Sequence, residues 1–554
     1  MVALLSLIPI VYLLIRSSEG GSSSISDILF HSSMVRLLLR SVLLGICVAG
    51  VSLLLAALLG VITVAADLPL RRTLGVLVIV PLAVPCYVAA SAWIASTSHN
   101  GSVRSLMEAI GIGSPSRPEG FLWTWCVLTC FTYPYALLPL RAGLRRLDAC
   151  QYESARSSGA SRTRGALTTL VPQLTPAAIT GVVLVLLYTL AEFGAVTLFR
   201  LDTFTRVIYQ QYQSSFDRSS AAVTCLVLVM LIIAVMVVSE RLARRTKDAC
   251  CASGCEDSLV IRLGRWRWPA CAVTLLFVLA TSGFVVFELV SWAGRGAPEA
   301  FAGSLITPAS NSVLLAMGGA VAAVVASYPA AWIAARMRGS LATIFERTTH
   351  FGFGLPGIVV ALGLAAGALR LSGLGLYQSW ALIVLAYVIL FLPQSAGALR
   401  ASLSGAPPVF EDAATSLGAS GSRVFARVTL PMIRPGIIAG GTLVFLSSMK
   451  ELPATLLLAP PGVHTLSTRV WGFMEEAMFA QAALPALGLI ACSSLIVGLI
   501  SIAEREQNSP VLAATTLDSP CSCERMDCAD CGKRAPTTSN DHGIVSLTIG
   551  ESSS

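Results

Sequence analysis

Residues 447 to 459 read SSMKELPATLLLA, and they set Lys450 and Glu451 side by side within a long apolar run, with Pro453 two residues on. A second carboxylate, Glu192 in LYTLAEFGAVTLF, has no adjacent cation. Ionisable groups inside hydrocarbon cost about 3 kcal/mol or more, so by default they face a bundle interior or a water-filled path. Two readings fit. Either Lys450 neutralises Glu451 locally and Pro453 kinks a helix, or these three residues line a translocation path. The other chemistry-bearing set is Cys521, Cys523, Cys528 and Cys531 in CSCERMDCADC. That spacing could offer four thiolates to zinc or an iron centre. Equally, its polar surroundings read as a disordered tail with incidental thiols. The five histidines form no catalytic or ligand set.

The elements that must position these groups are hydrophobic helices. Of 554 residues, 55% are hydrophobic and 12% charged, against roughly one quarter charged in a soluble globular protein. Twelve apolar runs can be counted, near residues 2 to 15, 41 to 66, 74 to 97, 121 to 140, 174 to 198, 221 to 239, 270 to 292, 312 to 335, 351 to 369, 377 to 397, 435 to 458 and 483 to 503. Most are long enough to cross a hydrocarbon core of about 30 Å. The first is short, but it lacks the charged n-region and small-residue cleavage site of a signal peptide and is read as a span. Lys and Arg concentrate in the loops that a cytoplasmic N-terminus would place inside. The net charge of +8 therefore reads as topology, with both termini cytoplasmic and no nucleic-acid partner.

The chain repeats itself. SVLL recurs at 41 to 44 and 312 to 315, and at the same offset of 271 Pro85 falls on Pro356. The offset then drops to 259 and pairs Pro134 with Pro393, Gly159 with Gly418, Pro172 with Pro431, Gly181 with Gly440 and Glu192 with Glu451. Each half holds an even number of spans, so the copies are parallel and related by an axis along the membrane normal. The expected organisation is a first repeat over 1–240, a cytoplasmic linker over 241–269, a second repeat over 270–505 and a polar, Cys-containing tail over 506–554.

Between the fourth and fifth spans of each half lies a polar loop, containing YESARSSGAS in the first copy and FEDAATSLGAS in the second. Glycine permits the left-handed conformation that ends a helix, and the downstream proline starts the next. These loops resemble the EAA loops of binding-protein-dependent ABC importer permeases: Glu153, Ala155, Gly159 and Pro172 in one copy, Asp412, Ala414, Gly418 and Pro431 in the other. Ser154 and Asp412 depart mildly from the Glu-Ala-Ala pattern, and Glu411 could supply the longer carboxylate. KELPATLLL, AEFGA and the fusion of two halves further resemble the ferric-iron permeases of that group.

The resemblance implies an all-α, polytopic fold of about twelve transmembrane helices in the type I importer arrangement, located in a bacterial inner membrane. It implies ferric iron as cargo, a solute-binding protein outside, and two ATP-binding subunits docked on the EAA loops. No Walker A sequence is present, so ATP would bind on those separate subunits and this chain would not itself be an enzyme. Fused thiamine permeases look similar in architecture, and two cationic cargoes would suit the same carboxylates. A secondary transporter driven by an ion gradient is a more distant alternative.

Overall fold

A computed structural model describes residues 2–18, 32–111, 113, 115–214, 218–247, 264–296, 305–337, 354–370 and 375–507. Its regular elements are helices, with no strand among the described residues. Met1–Ser501 form one compact unit; of the remainder, the described part is the end of the last helix, Phe479–Gln507.

Each of the twelve apolar runs is met by a helix, but not all by a straight one. Among the described residues, eight helices are long and apolar enough to cross a bilayer, three apolar helices are shorter, and one pair, Arg71–Ala83 with Cys86–Ile110, is bent by 83°. The bend falls at Pro85, which lacks an N–H and sits in extended backbone before the new helix. The repeat-equivalent Pro356 precedes Gly357–Arg370 in the same way. The run near 74 to 97 is thus broken where the sequence predicts a continuous span. These two short helices, Cys86–Thr97 and Gly357–Arg370, are about 18 and 21 Å long, less than the roughly 30 Å of the hydrocarbon core.

Both halves are built around the same trio. In the first, Ser32–Gly60, Phe121–Arg145 and Val171–Ala191 pack together; in the second, Ile306–Arg336, Trp380–Ser404 and Leu430–Lys450 do. Lipid gives no hydrophobic drive between helices, so close packing at small residues holds them. A Cβ on Gly181 would come within 2.9 Å of the Ala136 Cα, and one on the equivalent Gly440 within 3.1 Å of the Ser395 Cα. Backbone cannot retreat as a side-chain tip can. We expect Gly181→Val to cost about 1–3 kcal/mol of stability, seen as a lower thermal midpoint of the purified chain; an unchanged midpoint would show that these helices can separate freely.

The halves also exchange helices. Val2–Ser18 packs on the short helix Gly357–Arg370 of the other half, and Phe284–Gly296 packs on Cys86–Thr97. The second contact includes Trp93 against Phe284, with ring centroids 4.5 Å apart. It also carries the buried Glu288, which accepts from Trp292 Nε1 at 2.9 Å and from Ser102 Oγ. Two short helices, each clasped by the opposite half, flank the centre of the molecule.

Candidate functional site

The two glutamates stand at breaks of one design. Val171–Ala191 ends with Glu192 in extended backbone (φ −66°, ψ 130°), and Leu430–Lys450 ends with Glu451 alike (φ −68°, ψ 122°). The chain resumes as the short helices Gly194–Leu198 and Pro453–Leu458. Glu192 Oε1 accepts from the Ala195 N–H at 3.1 Å, and Glu451 Oε1 accepts from the Ala454 N–H at 3.1 Å. Each carboxylate therefore caps the helix after its own, where the unpaired N–H groups and the helix dipole favour negative charge. Hydroxyls satisfy the carbonyls stranded by the break: Thr205 donates to Glu192 O at 2.6 Å, and Thr455 and Ser467 each donate to Glu451 O at 3.1 Å. Glu451 also lies against the start of the second short helix, where a Cβ on Gly357 would be 2.1 Å from its Oε1. A side chain at 357 would have to displace the Glu451 carboxylate from its place.

Glu192, Glu451 and Lys450 line one cavity of about 210 Å³ between the halves. Lys450 does not pair with its neighbour Glu451. Its Nζ reaches across to the other half and donates to the Leu82 carbonyl at 2.8 Å, a group near the break at Pro85. Local neutralisation of Glu451 by Lys450, one of the two sequence readings, is not what the structure adopts.

The cavity departs from the repeat's symmetry. At offset 259, Tyr135, Tyr188 and Ala191 in the first half correspond to Gln394, Ser447 and Lys450 in the second, and all six line it. The Tyr135 and Tyr188 rings lie 4.9 Å apart, and the Tyr188 hydroxyl is 3.6 Å from Cys86 Sγ. Opposite them, Ser447 donates to Gln394 Oε1 at 2.9 Å. One wall is aromatic; the other is polar and carries a cation. Sequence reasoning passed over Tyr135, Tyr188, Gln394 and Ser447, although extending the 259 offset around the glutamates would have found them.

The two EAA-like loops have matching ends. Gly159 (φ +89°) follows Ala149–Ser157, and Gly418 (φ +82°) follows Val409–Ser416. Ala160 N donates to Ala155 O at 3.1 Å and Ala419 N to Ala414 O at 3.1 Å, while Gly159 and Gly418 donate to Arg156 O and Thr415 O at 3.1 and 2.9 Å. That is the Schellman arrangement, which needs a left-handed residue at the glycine. Glu153 and Asp412 are exposed, and Ala155 and Ala414 half-buried. Pro172 and Pro431 fall at the first turns of Val171–Ala191 and Leu430–Lys450.

The anchors beneath the loops differ. In the first copy, Asp148 caps the loop helix by accepting from Cys150 N at 3.0 Å, and its own N–H donates to Gln173 Oε1 at 3.0 Å. In the second, Glu411 forms an ion pair with Arg336 at 3.1 Å and accepts from Thr429 Oγ1 at 3.1 Å, while Arg336 also donates to Ala406 O at 2.8 Å. Glu411 therefore turns inward and leaves Asp412 as the exposed carboxylate. The Arg336 and Glu411 side chains keep only 12% and 20% of their exposure, so removing one strands the other. We expect Arg336→Met to cost about 2–3 kcal/mol, somewhat below the loss typical of a fully buried pair. Thermal unfolding beside an Arg336→Met/Glu411→Met double variant measures it; equal midpoints for single and double variants would contradict the pairing.

Cys521, Cys523, Cys528 and Cys531 lie outside the described residues. Among those described, no group of three or more His, Cys, Asp or Glu side chains could hold a metal ion.

Comparison with known proteins gives the arrangement a family. The family described as a binding-protein-dependent transport system inner membrane component matches residues 52–248 and again 327–506. The Fe(3+)-transport system permease protein FbpB 2 of Haemophilus influenzae is 31% identical over 89% of this chain and 95% of its own length. The probable ABC transporter permease protein y4fN of Sinorhizobium fredii is 24% identical over 77% of this chain and 79% of its own. The molybdenum transport system permease protein ModB of Escherichia coli is 29% identical, with 98% of its length matched to 37% of this chain, as expected when one chain carries two copies of a unit. This multi-pass chain belongs to the binding-protein-dependent transport system inner membrane components, as a fused, two-copy ABC importer permease.

Proposed function

We propose that this permease carries ferric iron, delivered by a solute-binding protein outside the membrane and driven by two ATP-binding subunits docked on the EAA loops. The observation that carries the reading is the meeting of Glu192 and Glu451, equivalent residues of the two halves, in one cavity between them. Carboxylate oxygen suits a hard trivalent cation. The same two negative charges disfavour an oxyanion such as the cargo named for the ModB relatives.

The coupling route follows the helices. Each EAA loop leads through Pro172 or Pro431 into the helix that ends beside its glutamate, a rod of about 30 Å. Gln173, near the foot of the first rod, is bonded to both Asp148 and Gln151 of its loop. ATP binding would draw the two loops together, tilt the rods and move Glu192 relative to Glu451, opening the cavity to one side and then the other. Exposed Glu153, Asp412, Gly159 and Gly418 form the docking surface, and both termini lie on that cytoplasmic side.

The test is ATPase activity of the assembled transporter with binding protein loaded in turn with ferric iron, thiamine and molybdate. Stimulation by the ferric-loaded protein alone supports the reading, and stimulation by another cargo alone overturns it. The runner-up is an organic cation such as thiamine, favoured by the aromatic faces of Tyr135 and Tyr188, which line the same cavity as the carboxylates.

The C-terminal thiols Cys521, Cys523, Cys528 and Cys531 form a proposed zinc or iron site, a sensor of imported metal. Full-length chain under reducing conditions should retain more zinc or iron than a variant with all four changed to serine; equal content would remove the proposal.

A further inference from the structure

Tyr87 is the second residue of the first short helix, only 4% exposed, and it lines the central cavity. Its hydroxyl is buried and has no hydrogen-bond partner. A buried hydroxyl left unsatisfied is destabilising, a penalty that phenylalanine at the same place would avoid. Nor does the fold call for a phenol there, since the equivalent residue at offset 271 is the fully buried Ile358. The ring is nevertheless held firmly. A Cβ on Gly194 would lie 2.4 Å from Tyr87 Cβ and 3.1 Å from its Cγ, so the ring packs against the backbone two residues beyond Glu192.

Tyr87, with a buried hydroxyl that lacks an acceptor, thus lines the same cavity as the two carboxylates. We infer that Tyr87 is a cargo ligand, its phenolate oxygen completing with the Glu192 and Glu451 carboxylates an all-oxygen site for a hard trivalent cation. The inference rests on the ferric reading of the cargo and adds a residue and a donor type to it. Three oxygen donors come from three separate segments: the first short helix and the two broken ends. Their spacing therefore depends on how the halves are disposed, and rocking the halves would assemble and dismantle the site. On coordination the phenol O–H bond breaks, an oxygen–iron bond forms in place of an iron–water bond without change of oxidation state, and the proton passes to the released water. Lys450, held on the Leu82 carbonyl, offsets part of the negative charge and keeps the site from binding iron too tightly to release it.

Full-length chain in lipid nanodiscs, titrated with ferric nitrilotriacetate, tests the assignment through the visible charge-transfer absorption of a ferric phenolate. Wild type and Tyr135→Phe should develop the band, and Tyr87→Phe should not. In proteoliposomes with the ATP-binding subunits, Tyr87→Phe should lower ferric uptake about tenfold, a loss of roughly 1.4 kcal/mol, while its thermal midpoint stays equal or rises. A structural tyrosine would give neither change. A missing band in wild type, or a band and uptake that survive in Tyr87→Phe, overturns the inference and leaves the cargo reading standing if wild type still accumulates iron. Failure of wild type to accumulate iron overturns the cargo reading itself and this inference with it.

Discussion

A Glu192→Gln/Glu451→Gln double variant is expected to fold, assemble and insert normally, and to lose ferric uptake by about a hundredfold, or roughly 2.8 kcal/mol. Glutamine separates two roles that alanine would confound. Each glutamate Oε1 caps a short helix through Ala195 N or Ala454 N, and truncation to alanine would cost about 0.5–2 kcal/mol per cap. An amide oxygen can still accept that bond; it cannot supply the negative charge a cation needs. Each single variant should lose about tenfold, because the two carboxylates line the same cavity from opposite halves. Uptake measured beside thermal midpoints checks this. Full uptake in the double variant would reduce both glutamates to helix caps.

Gly159→Pro and Gly418→Pro should uncouple hydrolysis from transport. Both glycines have φ near +85° (+89° and +82°), whereas proline is locked near −65° and lacks the N–H that here donates to Arg156 O or Thr415 O. The chain would leave the loop helix in another direction and displace the exposed Glu153 or Asp412 from its docking position. Asparagine tolerates the left-handed region, so Gly159→Asn and Gly418→Asn should retain most coupling. In the reconstituted complex we expect the proline variants to hydrolyse ATP at near-normal rate with uptake reduced about tenfold or more. An unchanged ratio of cargo moved to ATP consumed would contradict docking at these loops.

Much of this was legible because the repeat preserves registers that physics constrains. Glu192 and Glu451 could be paired because offset 259 is held from Pro134 onward, through residues that end helices or permit close packing. Gly159 and Gly418 were legible because a Schellman ending demands a left-handed residue. Contacts distant in sequence were not. Lys450 bonds a carbonyl 368 residues away, and sequence adjacency pointed instead at Glu451. Glu411 was read as a carboxylate available for docking, yet its partner Arg336 lies at the end of another helix, 75 residues earlier.

The exchange of helices between the halves was hidden for a different reason. Val2–Ser18 is mostly apolar, with its charge and most of its polar residues confined to Arg16–Ser18, and in lipid such a helix offers little polar pattern from which its packing partner can be read. The break at Pro85 could not be read from the proline alone, since Pro134 and Pro393 sit inside continuous helices; the break and its 83° angle depend on the tertiary setting. Tyr87 escaped notice because a buried tyrosine looks ordinary until its hydroxyl is seen to lack a partner.

Accumulation of labelled ferric ion in proteoliposomes tests the central claim most directly, with this chain and its ATP-binding subunits in the membrane, ferric-loaded binding protein on one side and ATP on the other. ATP-dependent accumulation, lost in the Glu192→Gln/Glu451→Gln variant, is the predicted result. ATP-dependent accumulation of thiamine or molybdate with none of iron would contradict the cargo assignment, and iron accumulation that ignores both glutamates would contradict the path.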